Sequence, residues 1–91
     1  MMAWQVYIIH CSDDSFYTGC TNDVERRYRQ HAEGLGAKYF FGRKPVRLMY
    51  LETLADRSAA CKIEAMLKKL KRAEKLQLIS SEINEMAGSE C

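Results

Sequence analysis

No stretch of this 91-residue chain holds more than four consecutive apolar residues, whereas a membrane-spanning helix needs roughly 20. The start, Met1-Met2-Ala3-Trp4-Gln5, has neither the basic flank nor the apolar core of a secretory signal. The expectation is a cytoplasmic protein without membrane contact. Cysteine is sparse as well: Cys11, Cys20, Cys61 and Cys91 form no Cys-x-x-Cys pair. In a Lys- and Met-rich chain, four such residues point to reduced thiols rather than to a disulfide framework. The two histidines, His10 and His31, stand at no zinc-finger spacing from them, so no structural zinc is expected. With a single proline and five glycines there is no linker, repeat or low-complexity segment.

What is present suffices for one core. Apolar residues make up 47% of the chain, enough for a single compact domain over residues 1–84, with residues 85–91 a frayed tail. The net charge of +2 conceals a gradient: residues 1–75 hold 14 basic and 9 acidic groups, and residues 76–91 hold three acids and no base. Between Arg26 and Arg47, seven basic residues face the single acid Glu33. A second group, Lys68, Lys69, Lys71, Arg72 and Lys75, follows. Such clusters suit a polyanion; the second, taken alone, equally suits a solvated surface.

Trp4–Cys11 is β-branched and aromatic with apolar residues at both parities, the pattern of a strand covered on both faces. Ser12-Asp13-Asp14-Ser15 has turn chemistry, and Phe16–Cys20 resumes as the second strand of a hairpin, ended by Gly19. Asn22 caps a helix with Glu25 in its first turn, Val24, Tyr28 and Ala32 inward, and Gly34 and Gly36 beyond its end. A short helical turn over residues 37–42 precedes Pro45 and a third strand, Val46–Glu52. From Asp56 onward, Ala59, Ala60, Ile63, Met66, Leu67 and Leu70 follow the spacing of an amphipathic helix. A last short helix holds Leu76, Ile79 and Ile83 against the body. The order β-β-α-β-α-α predicts an α+β fold, a small three-stranded antiparallel or mixed sheet flanked by helices.

On this frame Tyr7 and Tyr17 stand on paired strands, and Arg27 and His31 lie four residues apart on one helix face. Singly, a strand tyrosine is most often core and an Arg/His pair most often a solvated face. Glu64 sits at the edge of the long helix's apolar stripe. There it suits either a carboxylate facing a cleft or a Glu64–Lys68 ion pair worth about 0.3 kcal/mol.

The joint pattern resembles the GIY-YIG nuclease superfamily over roughly Trp4–Ile79. The first motif reads Gln5-Val6-Tyr7, the second Tyr17-Thr18-Gly19, and Arg27-x-x-x-His31 and Glu64 follow in order. The nearest likeness is to small stand-alone members with Gly-Ala-Lys-Tyr after the first helix, here Gly36-Ala37-Lys38-Tyr39. Gln5 replaces the first glycine of the name motif. The asparagine that some relatives carry after the metal-binding Glu has no clear match, and Asn84 lies far into the tail. The resemblance implies a nuclease that hydrolyses phosphodiester bonds in DNA, single-stranded or structured, in repair or processing, with RNA not excluded.

In that reading Glu64 binds one Mg²⁺ or Mn²⁺ ion, an oxygen-seeking cation, and Arg27 grips phosphate oxygens. Tyr7 is the first choice for general base, with Tyr17 sharing or orienting the proton transfer. His31 orients the water or Tyr17, or is an ordinary helix-end histidine. Lys38, Arg43 and Lys44 contact backbone phosphates without reading bases. The chain carries no recognition helix, so specificity is structural or comes from a protein partner, and a monomer is expected. The competing reading is a non-catalytic nucleic-acid-binding module on the same surface, which would be indifferent to the Glu64 carboxylate.

Overall fold

The computed structural model describes residues 3–36, 38–40, 42–81 and 84. The fold is α+β: a three-stranded antiparallel sheet with helices on both faces. Strands β1 (Trp4–Cys11) and β2 (Phe16–Thr21) form the hairpin. Helix α1 (Val24–Ala32), a single 3-10 turn (Lys38–Phe40), strand β3 (Pro45–Leu54) and helices α2 (Arg57–Lys68) and α3 (Arg72–Ile79) follow. The sheet order is β2-β1-β3, so β1 is central and β2 is an edge. Ala37 and Phe41 of the expected helical turn, Ile83 and residues 85–91 lie outside the described residues.

The two-sided pattern of β1 becomes two cores. Val6 and Ile8 pack with Tyr50, Ala60 and Leu67 beneath α2 and α3, while Tyr7, Ile9 and Cys11 pack with Phe40 on the α1 side. All five of these β1 side chains are at most 1% exposed. Strand β3 is apolar at both parities for a different reason. Ile8 pairs with Tyr50 but Ile9 with Leu48, so Met49 is the extra residue of a bulge. The bulge sends Leu48 to the α1 side and Tyr50 to the α2 side.

Several local expectations shift by physical detail. Gly19 does not end β2, which continues to Thr21. It sits opposite Tyr7, where a Cβ would come within 2.6 Å of the tyrosine oxygen, so only glycine fits. Asp23, not Asn22, caps α1 by accepting from the Arg26 amide at 3.2 Å. The Val24 amide donates to Gln5 Oε1 at 3.3 Å. The residue standing in place of a motif glycine thus ties β1 to the start of α1. In α2, Asp56 caps as its position predicts, with Ala59 N–H donating at 2.8 Å. Met66, expected inward, is 62% exposed, and Leu76 is 44% exposed while Leu78 and Ile79 pack inward.

Asn84 proves to be structural: it is 4% exposed, accepts from the Leu51 amide at 3.0 Å, and donates to the carbonyls of Met49 and Ile79 at 2.8 and 2.7 Å. One amide side chain thereby clamps α3 to β3. Elsewhere Thr18, 4% exposed, buries a hydroxyl with no hydrogen-bond partner among the described residues. An unpaired buried hydroxyl costs on the order of 1–3 kcal/mol, and valine has nearly the same shape. Thr18→Val should therefore stabilise the protein by about 1 kcal/mol, read as a raised urea midpoint at unchanged slope; an unchanged or lowered midpoint would contradict the unpaired hydroxyl.

Candidate active site

The hairpin places Tyr7 and Tyr17 on the α1 side of the sheet, where α1 brings His31 against them. Tyr7 Oη and His31 Nε2 are hydrogen-bonded at 3.0 Å. The His31 ring stacks on Phe40 with centroids 4.3 Å apart and meets Tyr17 edge-on at 5.3 Å. His31 is 1% exposed, and a Cβ on Gly36 would overlap its Nδ1. His31 is therefore not a solvated helix-end histidine. It is wedged between Phe40, Tyr17, Tyr7 and a residue that has to be glycine.

Burial, and after it the charge of Arg27, lowers His31 from 6.5 to about 4, so the ring is neutral at neutral pH. Burial, reinforced by Tyr17, raises the Tyr7 phenol well above its ordinary value. A hydrogen bond from Arg27 and its charge oppose the rise without cancelling it. Tyr7 therefore keeps its proton at neutral pH, and at 1% exposure it is sealed from solvent. Tyr17 is only half-buried. Burial raises its phenol too, with Lys68 and Arg27 opposing and Glu64 adding to the rise. Arg27 and Glu64 act on both phenols and Lys68 on Tyr17 as well, and Tyr17 is the more exposed of the two tyrosines near the ionic part of the site.

That part is a cleft of about 470 Å³ at the β2 edge, lined by Arg27 and Glu64 together with Arg26, Arg57, Cys20 and Cys61. Arg27 reaches it from α1 and Glu64 from α2, helices on opposite faces of the sheet. Gln30 Oε1 accepts from Arg27 Nη1 at 3.0 Å and orients the guanidinium. Glu64 forms the i, i+4 pair with Lys68 at 2.8 Å while remaining part of the cleft wall, so both readings of this residue hold together. Burial raises the Glu64 carboxyl, but hydrogen bonds from Lys68 and Cys20 and the Lys68 charge outweigh it and leave the group below its ordinary value. An ionised carboxylate in a polar cleft, already holding a cation, suits Mg²⁺, which takes one or two carboxylates and completes its shell with water and phosphate.

Tyr7, Tyr17, Arg27, His31 and Glu64 are thus brought together. Lys38, Arg43 and Lys44 are not. Lys38 is exposed on the 3-10 turn, Arg43 is paired with Asp13 at 3.0 Å, and Arg43 and Lys44 line a different cavity, behind His31. The cleft's own additional cations are Arg26 and Arg57. Arg26 belongs to the basic run, but nothing in the spacing of Arg57 marks it, since it arrives from the far side of the sheet.

Residues 3–77 match the model of the GIY-YIG catalytic domain. A UPF0213 protein of Clostridium perfringens is 51% identical over 76 residues, covering 84% of this chain and 82% of its own length. UPF0213 protein YhbQ of Salmonella arizonae is 40% identical over 82 residues, covering 90% of this chain and 82% of that one. The solution NMR structure of a UPF0213 protein from Bacillus halodurans superposes with a TM-score of 0.60 at 40% identity, over 98% of this chain and 95% of that one. A second NMR structure, of an E. faecalis protein, gives 0.62 at 40% identity, over 88% and 85%.

The neutral, buried His31 makes stability depend on pH in one direction. Between pH 6.5 and about 4 the unfolded chain binds a proton that the folded chain excludes, so stability falls as the pH drops through that window. The full loss is on the order of 3 kcal/mol. The His31 ring signals in NMR should titrate near pH 4, and His31→Gln should flatten this segment of the stability profile; an ordinary midpoint in the folded protein would refute the assignment.

Proposed function

The chain belongs to the GIY-YIG catalytic-domain family, and from that premise we propose that it is a metal-dependent endonuclease acting on DNA, single-stranded or structured, in repair or processing. The observation that carries this reading is the convergence of Arg27 and Glu64, from helices on opposite faces of the sheet, on one cleft, with both groups acting on the two tyrosines. A binding module needs only the cations. A hydrolase needs the carboxylate and the tyrosines as well.

Phosphodiester hydrolysis requires a positioned water, neutralisation of charge at phosphorus, and stabilisation of the departing oxygen. Arg27, held by Gln30, supplies a fork of donors to non-bridging oxygens. Glu64 is the residue that would hold Mg²⁺ or Mn²⁺, and the ion when bound would supply Lewis-acid stabilisation of the leaving oxygen. Tyr17, half-buried and within the electrostatic reach of Arg27 and Lys68, is in this reading the group that meets the attacking water. This moves the base role from Tyr7, which is sealed. Tyr7 and His31, hydrogen-bonded behind it, are positioning residues that hold the wall rigid. A phosphate in the cleft would also offset the Arg27 charge and bring His31 closer to accepting a proton.

Arg26, Arg27 and Arg57 around the cleft favour backbone contacts over base readout, so affinity for DNA should fall steeply with added salt. A flat salt response would argue for a partner other than nucleic acid.

Two variants separate the readings. Glu64→Gln removes a charge and a metal ligand at nearly constant size, so folding should change by under about 1 kcal/mol. Cleavage of labelled DNA with Mg²⁺ should be lost while binding in chelator is retained or tightened. Full cutting by this variant would place the metal site elsewhere, and no cutting by the wild type with either metal would leave only the binding module standing. Tyr17→Phe should lower the cleavage rate by roughly 10²–10⁴ with little effect on stability. Tyr7→Phe should cost stability as well, because His31 Nε2 loses its buried partner.

A further inference from the structure

Cys20 and Cys61 are 41 residues apart in sequence, yet their sulfurs lie 3.9 Å from each other. Cys61 and Glu64, one turn apart on α2, share a helix face, and Cys20 rises from the neighbouring edge strand. The two sulfurs and a Glu64 oxygen all lie within 4.8 Å of one another. Two Zn–S bonds of about 2.3 Å at a tetrahedral angle place their sulfurs about 3.8 Å apart. The observed separation therefore needs almost no adjustment. We propose that Cys20, Cys61 and Glu64 form a binding site for a thiophilic divalent cation, Zn²⁺, with the fourth position open to water or phosphate.

The chemistry of the donors selects the ion. Thiolates favour Zn²⁺ and discriminate against Mg²⁺, which prefers oxygen. On binding, each thiol releases its proton to solvent, Lys68 gives up Glu64, and two thiolates and one carboxylate around Zn²⁺ sum to one negative charge. Arg26, Arg27 and Arg57 line the same cleft and offset it. Cys20 is half-buried and Cys61 lies at the surface, so the ion has a route in. The sequence conceals this site because its two cysteines come from different layers of the fold.

Occupation would take Glu64 away from the hydrolytic metal and so inhibit cleavage; that consequence rests on the nuclease reading, whereas the site itself rests on geometry alone. The test is a Co²⁺ titration of the full chain, kept reduced with a phosphine. The site predicts one equivalent bound with an intense near-ultraviolet thiolate-to-cobalt band, and bleaching by Zn²⁺. Cys61→Ser, a surface change, should diminish the band and weaken Zn²⁺ by more than about tenfold, while Cys91→Ser leaves both intact. Glu64→Gln should keep the thiolate band and weaken affinity. Absence of the band, its persistence in Cys61→Ser, or its loss in Cys91→Ser would overturn the proposal. In the cleavage arm, Zn²⁺ should inhibit the wild type and spare Cys61→Ser. A protein that shows the band but never cuts DNA would refute the nuclease reading and leave the zinc site standing.

Discussion

Burial of β1 on both faces is the constraint on which the rest of the molecule depends. A strand with Val6 and Ile8 on one side and Tyr7, Ile9 and Cys11 on the other is stable only if something covers each side. With three strands, two of them necessarily edges, α1 and α2 on opposite faces both reach the cleft at the end of β2. There α1 and α2 present side chains to the same space, and Arg27 and Glu64 meet across an edge that neither helix could span alone. The cleft is thus a geometrical by-product of a small sheet packed twice, with Arg26 and Arg27 supplied by α1 and Arg57 and Glu64 by α2.

The site divides into a dry half and an ionic half, and the division is electrostatic as much as spatial. Tyr7, His31 and Phe40 are nearly inaccessible, and burial keeps Tyr7 protonated and His31 neutral. A neutral wall adjoins the charged cleft without the cost of desolvating ions. Its rigidity comes from close approach: Gly19 lets Tyr7 lie against β2, and Gly36 lets the His31 ring fit beneath the following loop. In the ionic half, Glu64 remains a carboxylate because Lys68 and the Cys20 thiol hydrogen-bond to it, which outweighs its partial burial. The same carboxylate is consequently available to a hard cation through oxygen alone, or to a soft one together with two sulfurs.

Much of this was legible from residue order. The element order, the two-sided central strand and the Asp56 start of α2 follow from local pattern, because periodicity and spacing are properties of neighbours in sequence. The set Tyr7, Tyr17, Arg27, His31 and Glu64 is instead what the family resemblance implies, since each of them singly has a commoner structural role. The errors were local too, and each has a tertiary cause. Gly19 looks like a terminator when only its own propensity is considered, but it is demanded by the Tyr7 ring opposite. Met66 fits the apolar stripe of α2, yet the helix packs so that it faces solvent. Asn84, seemingly stranded near the end, is the clamp between β3 and α3.

By itself the sequence determined the elements and the faces they present, since helical and strand periodicity assign faces without reference to the rest of the chain, and its family resemblance named the residues expected to carry the chemistry. Only the tertiary structure decided accessibility and company. It sealed Tyr7 and left Tyr17 half-buried, separated Arg43 and Lys44 from the cleft while admitting Arg57, and set Cys20 beside Cys61. The physical reason is the same throughout: burial and pairing depend on contacts between residues distant in sequence, and the bulge at Met49 and the packing of α1 and α2 on opposite faces of β1 fix those contacts through the whole fold.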